Sequence, residues 1–298
     1  MRKIGAKPLE AGKIKMEKKY IDLHLHTRYS DGQLNPEQVV ELEAQKGIDI
    51  MAITDHDNLR GYFKAKKAAE EYGVMLIPGV EITTPNYHLL AYNFDPENEK
   101  FWEFMEYSRE LQRTGCEARV NKLRDLGMPI TIEKIAKEFP KGRLGKGNIR
   151  NTFQRDEECR NYLKEKHPEL DPTDIFFHYL GKEGLISNLE PKRGIDPYEA
   201  IKNVHEAGGV IGIAHPPKDV KDMKELEILV MQGIDFLEVQ PNLKPKYPYQ
   251  EFEDFAKDHN LPVSYGSDYH GPTMARELLE HGENILTGGM AKLLKIAQ

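Results

Sequence analysis

Short apolar runs of strand length alternate with helix-patterned segments at both ends of this chain, and that alternation limits the folds open to it. Residues 20–27 alternate apolar and polar side chains and read as a strand. A turn-rich Arg28-Tyr29-Ser30-Asp31-Gly32 follows, and Asn35-Pro36-Glu37-Gln38 then supplies a cap, a proline at the first helical position and a glutamine at the third. That helix runs to about Lys46, with Gly47 as its stop. Residues 48–54 predict a second strand, 59–72 a helix closed by Gly73, 74–77 a third strand leading through Pro78-Gly79 to Val80-Glu81-Ile82, and 88–92 a fourth. The alternation resumes later, with helices over 197–207, 222–232, 249–259 and 290–296 and strands over 210–214, 234–239 and 261–265. Such alternation predicts parallel βα units, an α/β fold whose polar chemistry gathers at the C-terminal ends of its strands.

Residues 96–191 break the pattern. They are charged, poor in strand signals and mostly helical, with candidate helices at 101–111, 117–126, 132–139 and 157–166. They read as an insertion packed over the barrel mouth rather than an independent domain. Basic residues cluster there, including Arg113, Arg119, Lys141, Arg143, Lys146 and Arg150. The net charge of −7 is spread along the chain, which argues against a large nucleic-acid surface but leaves room for a local phosphate pocket. Two cysteines, Cys116 and Cys159, are too few for a disulfide framework and fit a reducing cytoplasm. No apolar run approaches the roughly 20 residues of a membrane span. Residues 1–19 are lysine-rich without an apolar core and read as a flexible leader, with Met16 an alternative start.

Side chains two apart on a strand share a face. His24 and His26 therefore project together and can grip one metal ion. His56, His88, His215, His270, Asp31, Glu81 and Asp268 also fall at or just beyond strand ends. A mixed histidine and carboxylate set suits manganese, iron or zinc. Together these exceed the roughly four to six bonds of one ion, so two or three clustered divalent ions are expected. At least one carboxylate must then bridge, and Glu81 is the choice. Clustered ions bind a hydroxide nucleophile, clamp phosphoryl oxygens and stabilise a leaving oxygen. Asp268 joins the catalytic set as a ligand, and His215 or His270 is the candidate acid for the leaving alkoxide.

The segments His24-Leu25-His26, Ser30-Asp31-Gly32, Thr54-Asp55-His56-Asp57, Gly79-Val80-Glu81, His88-Leu89-Leu90, Ala214-His215-Pro216 and Gly266-Ser267-Asp268-Tyr269-His270 resemble, in order, the polymerase and histidinol phosphatase (PHP) family. The resemblance implies a distorted (β/α)7 barrel with a di- or trinuclear centre that hydrolyses phosphoesters. It divides the chain into a barrel of 20–95 and 192–298 and a helical insertion, 96–191, that caps the C-terminal face as a substrate cap. The insertion resembles that of stand-alone members acting on 3′,5′-bisphosphonucleotides or trimming short RNA from its 5′ end. Tyr179-Leu180-Gly181-Lys182 matches that subgroup. Asn148 stands where the subgroup often has a histidine, and this departure leaves the choice of substrate open. Arg119, Arg143, Lys146 and Lys182 are the candidate phosphate clamps.

Histidinol phosphate or a cyclic sugar phosphate are alternative substrates. A metal-dependent amidohydrolase or deaminase also begins with a His-x-His strand, and a non-catalytic scaffold could keep the fold. Asp31 and the Thr54-Asp55-His56-Asp57 segment favour the phosphoesterase. Asp22 and Asp57 are read either as orienters of neighbouring imidazoles or as surface residues, His205 as structural, and His167, His178, His259 and His281 as surface.

Overall fold

The computed structural model describes residues 18–139, 142, 144–170, 174, 176–181, 184–186, 194–241, 249–272, 277–279 and 284–296. Its centre is a seven-stranded sheet in the order β1 to β7: Ile21–Leu25, Ile50–Ile53, Met75–Thr83, His88–Tyr92, Val210–Ile213, Phe236–Val239 and Val263–Tyr265. After β7 the chain bonds back to β1, with Asp268 N–H donating to His24 C=O (2.8 Å) and His26 N–H to Tyr269 C=O (2.9 Å). The sheet is thereby nearly closed into a barrel.

Helices α1 (Pro36–Gln45) and α2 (Arg60–Tyr72) follow β1 and β2. Pro36 opens α1 after Asn35, and Gly73 closes α2 at φ +70°, as their residue types dictate. The apolar stripe of these helices (Val39, Val40, Ala65, Ala68, Ala69) packs on the outer side of Leu25, Met51 and Ile53. Leu23, Ala52, Leu90, Tyr92, Phe236 and Met290 form a second apolar cluster inside the sheet. The Tyr92 hydroxyl satisfies the Leu23 carbonyl there (2.8 Å).

One strand departs from the parallel expectation. β4 runs antiparallel to both β3 and β5. Only four residues separate β3 from β4, with Thr84 and Tyr87 bonded across the turn, and a parallel crossover needs a dozen or more. Reversal moves the first residue of β4, His88, opposite Thr83, to the end where the other strands finish. β3 itself is continuous through Pro78-Gly79. Its first half pairs with β2 and its second with β4, so the proline stands where the strand exchanges partners.

After β4 comes α3 (Glu99–Asp125), a single helix where two were expected. Arg113 spans the expected break by pairing with Glu110 (2.8 Å) and with Glu117. Its first half, through Phe101 and Met105, joins the barrel core, and its second half, through Cys116, Val120 and Leu123, joins a separate cluster. That cluster also takes residues from α4 (Ile132–Glu138), α5 (Lys146–Arg155), α6 (Glu157–Lys166) and the π-helical turn Phe176–Leu180. The barrel then completes with α7 (Pro197–Glu206), the short α8 (Pro216–Asp219), α9 (Met223–Gln232), α10 (Tyr249–Asp258) and α11 (Gly288–Leu293). No helix among the described residues is long and apolar enough to cross a membrane. Of the expected leader, residues 1–17 lie outside the described residues.

Glu43 of α1 is fully buried, with neither carboxylate oxygen hydrogen-bonded. Burial, reinforced by the Asp22 charge, pushes its carboxyl well above the usual range, so the folded state holds the acid. The unfolded chain ionises it near pH 4. A raised folded pKa contributes stability below that point and loses it as pH rises. Glu43→Leu is therefore expected to stabilise the metal-free protein by about 1–3 kcal/mol at pH 8, and by less at pH 5. Urea unfolding at the two pH values checks this; an unchanged or lower midpoint at pH 8 contradicts it.

Candidate metal centre

At the end of the barrel where β1, β2, β5, β6 and β7 finish, the sheet delivers a ring of imidazoles and carboxylates. The β1–β2 register shifts between Asp22 and Leu25. Asp22 pairs with Met51 and Leu25 with Ile53 across this irregularity, and His24 and His26 bring their Nε2 atoms to 3.1 Å from each other.

Glu81 of β3 sits in the middle. Its Oε2 lies 3.3 Å from His24 Nε2, 3.1 Å from His26 Nε2 and 3.1 Å from His56 Nδ1. Its Oε1 lies 3.2 Å from His88 Nδ1 and 3.1 Å from His215 Nε2. One carboxylate thus divides five imidazoles into two sets, as a bridging ligand must. Asp268 Oδ1 closes the first set at 3.5 and 3.4 Å from His24 and His26. Asp31 Oδ1 gathers a third, 3.2 Å from His270 Nε2, 3.8 Å from His26 Nδ1 and 3.9 Å from His56 Nε2. All nine residues singled out from the sequence therefore meet at one place.

The chemistry of these atoms fits metal ions. Asp31 Oδ1, Glu81 Oε2, and the Nδ1 atoms of His88 and His215 are buried without a hydrogen bond, although oppositely polar atoms lie within 4 Å. Lone pairs that converge at such distances without hydrogen-bond geometry suit a shared cation. Four overlapping groups have donor atoms within 4.8 Å of one another: His26-Asp31-His56-His270, His24-His26-Glu81, His56-Glu81-His88 and His88-His215-Asp219.

Charges in this cluster are strongly perturbed by burial and by one another. Burial opposes ionisation of Glu81, but His56, His24 and His88 outweigh it and hold the carboxyl well below the usual range. His270 and His56 do the same for Asp31. Burial also lowers His26, yet the neighbouring Asp268 and Glu81 carboxylates carry it up to about 9. His270 goes the other way, to about 4, through burial and the neighbouring His26. The backbone is strained in the same region, with left-handed φ values at Asp57 (+50°), His215 (+30°) and Asp268 (+56°).

Several supporting residues carried no sequence signal strong enough to single them out. Glu238 of β6 lies 2.7 Å from His24 Nδ1 and accepts His215 N–H at 2.6 Å. Asp55 accepts from Thr27 N–H, the Thr27 hydroxyl and the Ser30 hydroxyl at 2.6–2.7 Å, which fixes the loop bearing Asp31. Lys218 Nζ lies 3.1 Å from Asp268 Oδ2, and Asp219 Oδ2 lies 3.2 Å from His215 Nδ1. The last two sit on α8, four residues long and too short for periodicity to reveal.

Other expectations need correction. Asp22 and Asp57 are not surface residues. Both are fully buried, Asp22 accepting His24 N–H and Ser267 N–H and Asp57 accepting Thr83 N–H and the Ser108 hydroxyl. His205, read as structural, is exposed and pairs with Asp235 (2.9 Å). Arg119 of α3 and Lys146, the first residue of α5, are half-buried, while Arg143, Lys182 and His281 lie outside the described residues.

The start of α5 rests on the Asp31 loop. Asn148 donates to Ser30 C=O (2.7 Å) and accepts from Gly145 N–H, and Asn151 donates to Asp31 C=O (2.8 Å). At Gly147 a Cβ would stand 2.0 Å from Asp31 Oδ2, so only glycine allows this approach. Asn148, at the position where the expected histidine is missing, is thus committed to holding the loop.

The family model of the PHP domain matches residues 22–143. A 5′-3′ exoribonuclease of Haemophilus influenzae is 30% identical over 265 residues, covering 86% of this chain and 92% of that one. The chain belongs to the PHP family. A 3′,5′-nucleoside bisphosphate phosphatase of Chromobacterium violaceum is 27% identical, covering 89% of this chain and 92% of that protein. A solved structure from Bifidobacterium adolescentis, named for a metal-dependent phosphoesterase and 24% identical, aligns at a TM-score of 0.76 over 93% of this chain and 95% of its own length, which shows the shared fold. The PHP match spans the positions from His24 to His88, and the barrel brings His215, Asp268 and His270 to them from the later strands.

Proposed function

We propose that this PHP protein is a metal-dependent phosphoesterase whose substrate is a phosphorylated nucleotide, either a 3′,5′-bisphosphonucleotide or the 5′ end of a short RNA. The observation that carries the reading is Glu81, whose two oxygens face separate sets of imidazoles. The names of the two relatives support the nucleotide class.

In this reading His24, His26, Asp31, His56, Glu81, His88, His215, Asp268 and His270 hold two or three divalent ions. Bound there, manganese, iron or zinc would polarise phosphoryl oxygens and lower the pKa of a coordinated water. The protein supplies the rest. Buried, strained strand ends fix the donors before substrate arrives. His215 and His270, both buried within this cluster, are the candidates to protonate the leaving oxygen. The barrel of 20–95 and 192–298 carries the reaction, and the insertion of 96–191 caps it. Arg119, Arg143, Lys146 and Lys182 meet the second phosphate in that cap. Cys116 and Cys159 are buried in the insertion and form no disulfide, which fits a reducing cytoplasm.

The test is phosphate release with added manganese from adenosine 3′,5′-bisphosphate, a 5′-nucleotide, histidinol phosphate, a cyclic ribose phosphate and a short RNA. Preference for the bisphosphate or the RNA is expected. Preference for histidinol phosphate or the cyclic sugar phosphate overturns the substrate class, and turnover of amides alone overturns the reaction.

A further inference from the structure

We infer that Glu238 is a positioning residue that sets both the tautomer of His24 and the backbone of His215, coupling two ligand-bearing strands through one carboxylate. The inference rests on the metal-dependent reading above. Glu238 lies on β6, between β5 and β7 in the sheet, and is fully buried. Its Oε1 faces His24 Nδ1 at 2.7 Å, and its Oε2 accepts His215 N–H at 2.6 Å. Both oxygens therefore receive a proton donor.

Each contact has a consequence at the metal centre. An ionised carboxylate only accepts, so His24 must present Nδ1–H to it. The other ring nitrogen, Nε2, is then left with a lone pair, and it is this atom that faces His26, Glu81 and Asp268. A histidine that binds metal commonly donates its remaining N–H to a carboxylate, which fixes the ring and raises its basicity. At His215 the contact is to the backbone. That residue is held at φ +30°, ψ +54°, a region unfavourable for a side chain with a Cβ, and the short N–H bond to Glu238 ties it there. His215 in turn aims Nε2 at Glu81. The chain also leaves room for the carboxylate. A Cβ at Gly266 would stand 2.7 Å from Glu238 Oε1 and 2.3 Å from His24 Cβ.

Glutamine cannot replace this carboxylate. Its amide has one accepting oxygen and one donating nitrogen, and two N–H donors converge on it. If the oxygen serves His215, the NH2 faces His24 Nδ1 and favours the tautomer protonated at Nε2, so that Nε2, the atom facing the centre, has no lone pair for a metal. If it serves His24, the NH2 opposes His215 N–H and the turn into α8 loses its tie.

The experiment strips wild type and Glu238→Gln with a chelator, compares their far-UV circular dichroism, and titrates each with Mn²⁺ while bound metal is counted by mass spectrometry. The variant is expected to fold as wild type and to lose roughly 10- to 100-fold in affinity for at least one ion. Matching titrations overturn the inference. Should the variant not fold, ¹⁵N-histidine spectra of the Zn²⁺-loaded wild type decide. His24, assigned by comparison with His24→Gln, is expected to carry its proton on Nδ1 and the metal on Nε2. The reverse arrangement overturns the proposal, a distinction that a merely structural role for Glu238 does not predict. Wild type that takes up neither ion instead sinks the metal-dependent reading on which the inference rests.

Discussion

Glu81→Gln is expected to lower metal content by at least one ion per chain and phosphoester turnover by more than about 100-fold. The magnitude follows from the position. Loss of a group that merely orients a ligand costs roughly 10- to 100-fold, and Glu81 lies among five imidazoles with both oxygens engaged. Glutamine keeps the shape but turns one oxygen into a donor, which points N–H groups at one set of ring nitrogens and removes the charge that two cations would share. The side chain is buried within β3, so the change is confined to the centre. Metal analysis after dialysis, together with initial rates at saturating Mn²⁺, checks both parts. A variant that keeps its full metal complement and its rate shows that Glu81 does not bridge. Folding is monitored alongside, because imidazoles raised by Glu81 in the metal-free protein lose an opposite charge; some destabilisation of the stripped variant at neutral pH is expected.

The meeting of these nine candidate ligands was legible in the sequence because most of them sit at or near the end of an apolar run, and strand ends converge in a fold of this kind. His24 and His26 needed only the period-two rule, and the irregularity beside them in β1 did not disturb it. The direction of β4 was legible only through the shortness of its connection to β3. Its reversal left His88 at the working end, so a misread strand direction still placed the residue correctly. α3 hid its continuity behind Gly115, a helix-weakening residue whose effect Arg113 bridges by pairing to both sides. Glu238 was invisible for a different reason. A carboxylate inside the apolar run 234–239 resembles a solvent-facing alternation, and only the three-dimensional meeting with His24 and His215 reveals its use. Basic residues in the insertion carried the weakest signal, since charge on a helix is ordinarily solvated. Of those proposed to clamp phosphate, Arg119 and Lys146 are half-buried on α3 and α5.

Asp268→Asn is expected to abolish measurable turnover while leaving the fold intact. Asp268 Oδ1 faces the Nε2 atoms of His24 and His26 at 3.5 and 3.4 Å, and its Oδ2 is held by Lys218 Nζ at 3.1 Å. One oxygen is thus turned toward the histidines and the other toward a cation that fixes the carboxylate plane. Asparagine has the same outline, and it tolerates the left-handed backbone at φ +56° as well as aspartate does. The barrel closure through Asp268 N–H and His24 C=O uses the main chain and survives the exchange. What disappears is the negative charge. An amide can offer the histidine pair an oxygen, but then its NH2 confronts the Lys218 ammonium; turned over, it offers Lys218 the oxygen and the centre a donor. Either rotamer weakens the ligand set at a position where charge matters most, so the fall in rate should exceed the roughly 10- to 100-fold cost of losing an outer partner. Initial rates at several Mn²⁺ concentrations, with unfolding curves for the stripped proteins, separate the two effects. Turnover equal to wild type would remove Asp268 from the centre. A collapse of folding without metal would recast it as a residue that holds the barrel shut.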